Sequence, residues 1–142
     1  AFVHVMDISA TILDAAGVNH PGTSYKGRTV EPLRGRSMME VLNGRSEFVY
    51  DNDTAVSWEM LGFRAVRRGD FKLVWLPVPF GVDDWQLYDL SKDPAELNDM
   101  SQEHPELRNE MIGIWKQYFK EVGVILPPGG ALRMDISLPP SD

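Results

Sequence analysis

Residues 62–88 constrain the fold of this chain more than any other stretch. Phe63 to Arg68 and Phe71 to Trp75 are rich in aromatic and β-branched residues, and Gly69-Asp70 separates them. Glycine there supplies the positive φ of a tight hairpin turn, so the two runs read as paired antiparallel strands over 63–68 and 71–76. Residues 77–84 hold too much proline and glycine to pair. Trp85-Gln86-Leu87-Tyr88 then opens a further strand over 85–90. Upstream, Phe48 and Tyr50 alternate with polar neighbours and 55–61 reads as another strand. The pattern predicts a meander of about four antiparallel strands.

Such a sheet is apolar on at least one face and has to bury it against something. The cover is legible downstream. Pro105 suits a helix start, and Leu107, Met111, Ile114, Trp115, Tyr118 and Val122 form one stripe of an 18-residue amphipathic helix that Gly123 closes. His104 falls at its cap position.

Ahead of the sheet, Asp7 is placed to cap a short helix over 8–16, with Ile8, Ile12, Leu13 and Ala16 on one apolar face that needs a partner and Gly17 as its terminator. Residues 18–36 read as an irregular connector. Ser37 and Glu40 have the spacing of a capping box for a second short helix, which buries Met38, Val41 and Leu42 and ends at Gly44. The fold class is therefore α+β: a four-stranded antiparallel sheet under one long C-terminal helix, preceded by a short N-terminal helix and an irregular connector. The expected divisions are 1–44, 45–126 and a Pro/Gly-rich tail over 127–142, in which disorder or order borrowed from a neighbour is expected.

At 142 residues, 43% hydrophobic and 25% charged, the chain is long enough to bury a core. A net charge of -7 argues against nucleic acid or an anionic membrane surface as a partner. No apolar run reaches the length of a membrane span, and no basic segment leads into an apolar one at the start. A soluble chain is expected, with a cytoplasmic setting favoured. The absence of cysteine removes disulfides, thiolate metal ligands and a cysteine nucleophile. The chain opens Ala1-Phe2-Val3-His4 and enters a helical pattern at once, which reads as a start inside a larger protein.

Candidate chemistry is sparse. Asp89, Asp93, Glu96 and Asp99 lack the central glycine and bidentate glutamate of a calcium loop. They fit turn chemistry better: Asp89 accepts backbone hydrogen bonds where its strand ends, Asp93-Pro94 starts a turn, and Glu96 suits the amino end of a short helical turn. Asp51, Asp53, Asp83 and Asp84 read as solvated loop acids. His4, His20 and His104 lack a second histidine at metal-ligand spacing, and no serine lies in a Gly-X-Ser-X-Gly elbow. Trp58, Trp75, Trp85 and Trp115 are spread over three strands and the long helix, where three of them can reach one core. Arg68 and Lys72 flank the hairpin turn, as edge-protecting charges or as guides for an anionic ester. No catalytic, cofactor-binding or metal-binding residue is assigned.

Four ordered segments together resemble the C-terminal subdomain of the sulfatases, and the likeness covers most of residues 3–123. Val5 to Val18 is similar to that family's first helix, with Ala10 where proline is usual, and Gly35-Arg36-Ser37 to the Gly-X-Ser before its short helix. Trp58-Glu59 and Arg64 to Gly69 resemble the arylsulfatase hairpin, and Trp85 to Asp99 the Trp-X-Leu-Tyr-Asp-Leu-X-X-Asp-Pro-X-Glu segment after it. The resemblance implies a C-terminal fragment of an arylsulfatase-type sulfuric ester hydrolase, structural and rimming the substrate cleft of the whole enzyme. It implies a formylglycine nucleophile, made within Cys/Ser-X-Pro-Ser-Arg, and a calcium ion; both belong to the intact parent. No such pentapeptide occurs here, so no cofactor is expected in this chain and inactivity alone is expected. The implied partners are the missing N-terminal sulfatase domain and, through the face it leaves uncovered, further copies of this chain. The alternative is a stand-alone binding or assembly module that reuses the subdomain.

Overall fold

The computed structural model describes residues 1–128, which fall in two compact units divided between Asp53 and Thr54. Most of the tail expected over 127–142 lies outside the described residues.

In the first unit, helix α1 (Asp7–Ala15) ends where Gly17 takes φ +66° and Val18 N–H closes back on the Leu13 carbonyl. Its buried positions are Asp7 and Thr11, whereas Ile8 and Ile12 are 49% and 62% exposed. The apolar face is thus open, as a face in need of a partner would be, whereas the expected cap is corrected: Asp7 sits inside the first turn as a fully buried carboxylate. A carboxylate out of water has to be surrounded by donors. Asp7 Oδ2 accepts from His4 N–H at 2.7 Å, and Oδ1 accepts from Arg36 N–H at 2.9 Å and from the Tyr50 hydroxyl. Thr11 Oγ1 donates to the Asp7 carbonyl at 2.7 Å and accepts from Met38 N–H at 2.9 Å. The connector is thus held to α1 by hydrogen bonds.

Within that connector β1 (Ser24–Tyr25) and β2 (Arg28–Thr29) form a minimal ribbon around Lys26-Gly27. Gly35 passes so close to α1 that a Cβ there would lie 2.1 Å from the Met6 carbonyl oxygen. Helix α2 (Met39–Leu42) starts without the expected capping box. Ser37 Oγ accepts from Met39 N–H at 3.2 Å but donates to the Asp14 carboxylate, and Glu40 turns to Arg45 at 3.1 Å. No residue of α2 is buried, and Leu42 is exposed. The strand signal at Phe48 and Tyr50 is not realised either, and Tyr50 instead donates its hydroxyl to Asp7.

The second unit is the predicted meander. Strands β3 (Ala55–Met60), β4 (Phe63–Arg68), β5 (Phe71–Trp75) and β6 (Trp85–Asp89) pair antiparallel in the order β3-β4-β5-β6. Arg68 faces Phe71 across the Gly69-Asp70 turn, with Gly69 at φ +55°. Met60 faces Phe63 across a second two-residue turn, Leu61-Gly62, at φ +56° and +93°. Residue 61, read from sequence as strand, is therefore a turn residue.

Alternation along the strands gives the sheet two faces. Val66, Leu73 and Leu87 are fully buried under α3 (Pro105–Val122), which packs Met111 and Trp115 onto them. Ala65, Val74 and Tyr88 form a second cluster on the opposite face, with Trp58 against it. Trp75 and Trp85 are cross-strand neighbours on the helix side, and the Trp85 and Trp115 rings meet edge-on at 5.6 Å. His104 occupies the cap position of α3 without a side-chain capping bond, and Gly123 closes the helix at φ +65°. The outer edge of β6 is covered by the chain that follows: Leu87 N–H donates to Asp99 Oδ1 at 3.0 Å and its carbonyl accepts from Met100 N–H at 2.9 Å.

Candidate functional site

Antiparallel pairing brings the β3–β4 turn and the β5–β6 loop to the same end of the sheet. Phe63 and Phe80 join them, with ring centroids 5.3 Å apart. Around this pair Met60, Leu61, Val78 and Val82 are each more than half exposed, a concentration of apolar surface on two short connections. The loop is built to hold its shape. Phe80 and Gly81 N–H both donate to the Pro77 carbonyl, at 2.8 and 3.0 Å, and Asp83 N–H donates to Leu76 O at 3.0 Å. A Cβ at Gly81 would lie 2.6 Å from Leu76 Cβ, so only glycine permits this return.

Two arginines tie this end to the helix. Arg108 donates to Asp84 Oδ1 at 2.8 Å and to the Trp85 carbonyl at 3.3 Å, anchoring the loop to α3. The Arg64 guanidinium lies 4.0 Å from the Trp75 ring centroid and 5.1 Å from that of Trp115. Burial draws its pKa down, against the favourable charges of Glu59 and Asp83. Sequence reasoning singled out the loop but not Met60 and Leu61 beside it. A leucine in a tight turn lacks the usual turn signature.

The acidic run serves local structure. Asp89 Oδ2 accepts from Lys92 Nζ at 2.8 Å and Oδ1 from Ser91 Oγ at 2.6 Å and Ser91 N–H at 3.1 Å; the lysine first, then the serine, lowers its pKa to about 2. Asp93 Oδ2 takes the Asn98 N–H at 2.8 Å. Glu96 does not begin a helical turn: it adopts φ +56° and pairs with Lys72 at 2.5 Å. Burial works against ionisation of Asp99, but the Leu87 and Ser101 amides prevail and its pKa is lowered. Tyr88 beside them is raised, first by burial and then by Asp99, Glu96 and Asp93.

The remaining candidates are dispersed. Asp51 lies 3.7 Å from Arg36, Asp53 is exposed, and Asp83 sits at φ +59° in the sheet-end loop. His20 Nδ1 accepts from Gly22 N–H at 3.2 Å, while His4 engages Asp7 through its backbone. Arg68 makes two bonds to Glu110, at 2.6 and 3.1 Å, so both cations flanking the hairpin turn are in ion pairs. Among the described residues no three acids or histidines group so as to hold a metal ion. The donor set that calcium needs is not assembled by them.

This architecture is that of a sulfatase C-terminal domain. The chain belongs to that family: residues 1–120 match the family of N-sulphoglucosamine sulphohydrolase, C-terminal. It is 37% identical over 138 residues to the uncharacterized sulfatase PB10D8.02c of Schizosaccharomyces pombe (strain 972), covering 96% of this chain and 24% of that one. Among solved structures, the 6S-sulfatase described with the metabolism of multiple glycosaminoglycans by Bacteroides thetaiotaomicron superposes with TM-score 0.61 at 20% identity, over 80% of this chain and 24% of its own. The protein BT4656, solved with its substrate D-glucosamine-2-N,6-O-disulfate, gives TM-score 0.55 at 22% identity, over 82% of this chain and 24% of its own. At those identities the structural likeness speaks for the fold. The chain spans about a quarter of the length of each of these relatives.

Proposed function

We propose that this domain is the structural C-terminal part of an arylsulfatase-type sulfuric ester hydrolase, rimming the substrate cleft with the sheet end around Phe63 and Phe80. The observation that carries this reading is the match to a C-terminal domain family by a chain spanning 24% of its sulfatase relative. The formylglycine and the calcium of such an enzyme lie in the remaining three quarters. The described residues do not fit either group, since the acids are engaged one by one in turns and ion pairs, and no step is derived through them. What this chain contributes is position: a rigid loop, fixed to α3 through Arg108 and Asp84, that presents apolar side chains at one end of a sheet.

The test is hydrolysis of an aryl sulfate in the presence of calcium, by this chain and by the same chain extended upstream through a complete sulfatase domain. Turnover by the longer chain alone is the expected result. In that longer chain, Phe80→Ala should raise KM for the aryl ester by several-fold and lower the thermal midpoint only modestly, because its partly exposed ring packs on Phe63 and not on the core under α3. Turnover by the 142 residues alone overturns the reading, and an unchanged KM in the Phe80 variant removes the rim.

A further inference from the structure

Of the chain's five asparagines, four are followed two places on by Pro21, Arg45, Met100 and Met111; only Asn52 is followed there by a hydroxyl residue, Thr54. Asn52-Asp53-Thr54 is the acceptor triplet for N-linked glycosylation, with aspartate rather than the forbidden proline at its centre. A triplet of this kind occurs often by chance, so its placement decides its meaning. Asn52 and Asp53 are exposed in a turn, and the backbone becomes an extended strand at Ala55. The neighbours on the amino side are committed, Tyr50 to Asp7 and Asp51 to Arg36, whereas the Asn52 carboxamide makes no hydrogen bond among the described residues. Its amide nitrogen is therefore at the surface and unengaged, and a group attached to it displaces no packed side chain.

We infer that Asn52 is an acceptor site for an N-linked oligosaccharide, which replaces the cytoplasmic setting favoured from sequence with passage through a secretory membrane. In the transfer, Asn52 Nδ2 forms a C–N bond to the anomeric carbon of an oligosaccharide carried on a lipid pyrophosphate. The bond from that carbon to the pyrophosphate oxygen breaks, the lipid pyrophosphate leaves with the electron pair, and the amide nitrogen gives up one proton to a base of the transferase. Thr54 is the residue by which the transferase recognises the triplet.

The experiment is translation of the full chain behind a cleavable secretory leader with eukaryotic microsomes, scored by protease protection and intact mass. The protected chain should gain the mass of one oligosaccharide. A glycan-releasing amidase should remove it and leave aspartate at position 52. N52Q and T54A should abolish the gain, and T54S should retain it. Because protection reports translocation whether or not the chain folds, a protected wild-type chain with unmodified Asn52 overturns the proposal, as does a mass gain that survives N52Q. N52Q made without microsomes should melt at the wild-type temperature; a lowered midpoint would show that the carboxamide has a structural task and would overturn the claim that it is free.

Discussion

Leu61 holds φ +56° with its side chain more than half exposed, in a turn where Asn, Asp or Gly is the usual first residue. The left-handed conformation costs a non-glycine residue about 1–2 kcal/mol. Leu61→Asn should therefore raise the unfolding free energy by about 1 kcal/mol, read as a higher urea midpoint with an unchanged slope. If the proposed rim is used by a longer enzyme, the same change should weaken aryl ester binding, which sets stability against function at one residue. Asp89 carries a second, pH-dependent prediction. Its folded pKa is about 2 against an ordinary 3.8, so its contribution is fully present above pH 3.8 and is lost as the pH falls toward 2. Glu110, lowered by Arg68, and Asp99 act with the same sign. Asp89→Asn should lower the urea midpoint at pH 6, and the gap from wild type should close on titration to pH 2. A gap independent of pH would mean that Asp89 acts by shape rather than by charge.

At the scale of elements, α3 is the cover without which the sheet cannot stand. Met111 is fully buried against Val66, Leu73 and Leu87, and Met111→Ala should cost about 2–5 kcal/mol. Equilibrium denaturation checks this; a cost below 1 kcal/mol would show that the helix side of the sheet collapses around the loss. The helix and the β4–β5 hairpin are legible in the sequence because each is specified locally, by a 3.6-residue stripe between Pro105 and Gly123 and by Gly69-Asp70 between two strand-like runs. Features set by distant partners are not. Ser37 has the spacing of a capping box, yet Asp14, 23 positions away, takes its hydroxyl. Asp7 reads as a cap because its other donors, Arg36 and Tyr50, stand 29 and 43 residues along the chain. The candidate rim is half legible for the same reason: the loop 77–84 announces itself by composition, but Met60 and Leu61 join it only through strand pairing.

Across the whole molecule, burial is divided unequally between the two units. Every buried apolar side chain of the described core, from Val56 to Trp115, belongs to the second unit, while the buried residues of the first are Asp7 and Thr11. A unit held by a polar network has little apolar burial to resist opening. Amide hydrogen exchange should therefore be slowest at Val66, Leu73 and Leu87 and should run ahead of it at Arg36 and Met38, whose N–H groups depend on Asp7 and Thr11. Tyr50→Phe, which removes one of Asp7's three donors, should widen that difference by about 1–3 kcal/mol in local opening free energy. The first unit also leaves Val3, Val5, Ile8, Ile12 and Val18 exposed within its first 18 residues. Exposed apolar surface of this kind favours association. We therefore expect this chain alone to form a homodimer or larger oligomer whose mass in light scattering rises with concentration. Ile8→Asp together with Ile12→Asp should return it to a monomer, since both side chains already face solvent and neither supports the core. If the proposed sulfatase domain covers this face, a longer chain that carries it should be monomeric at the same concentration. A monodisperse monomer of the 142 residues would instead mean that these side chains are too scattered to act as one face.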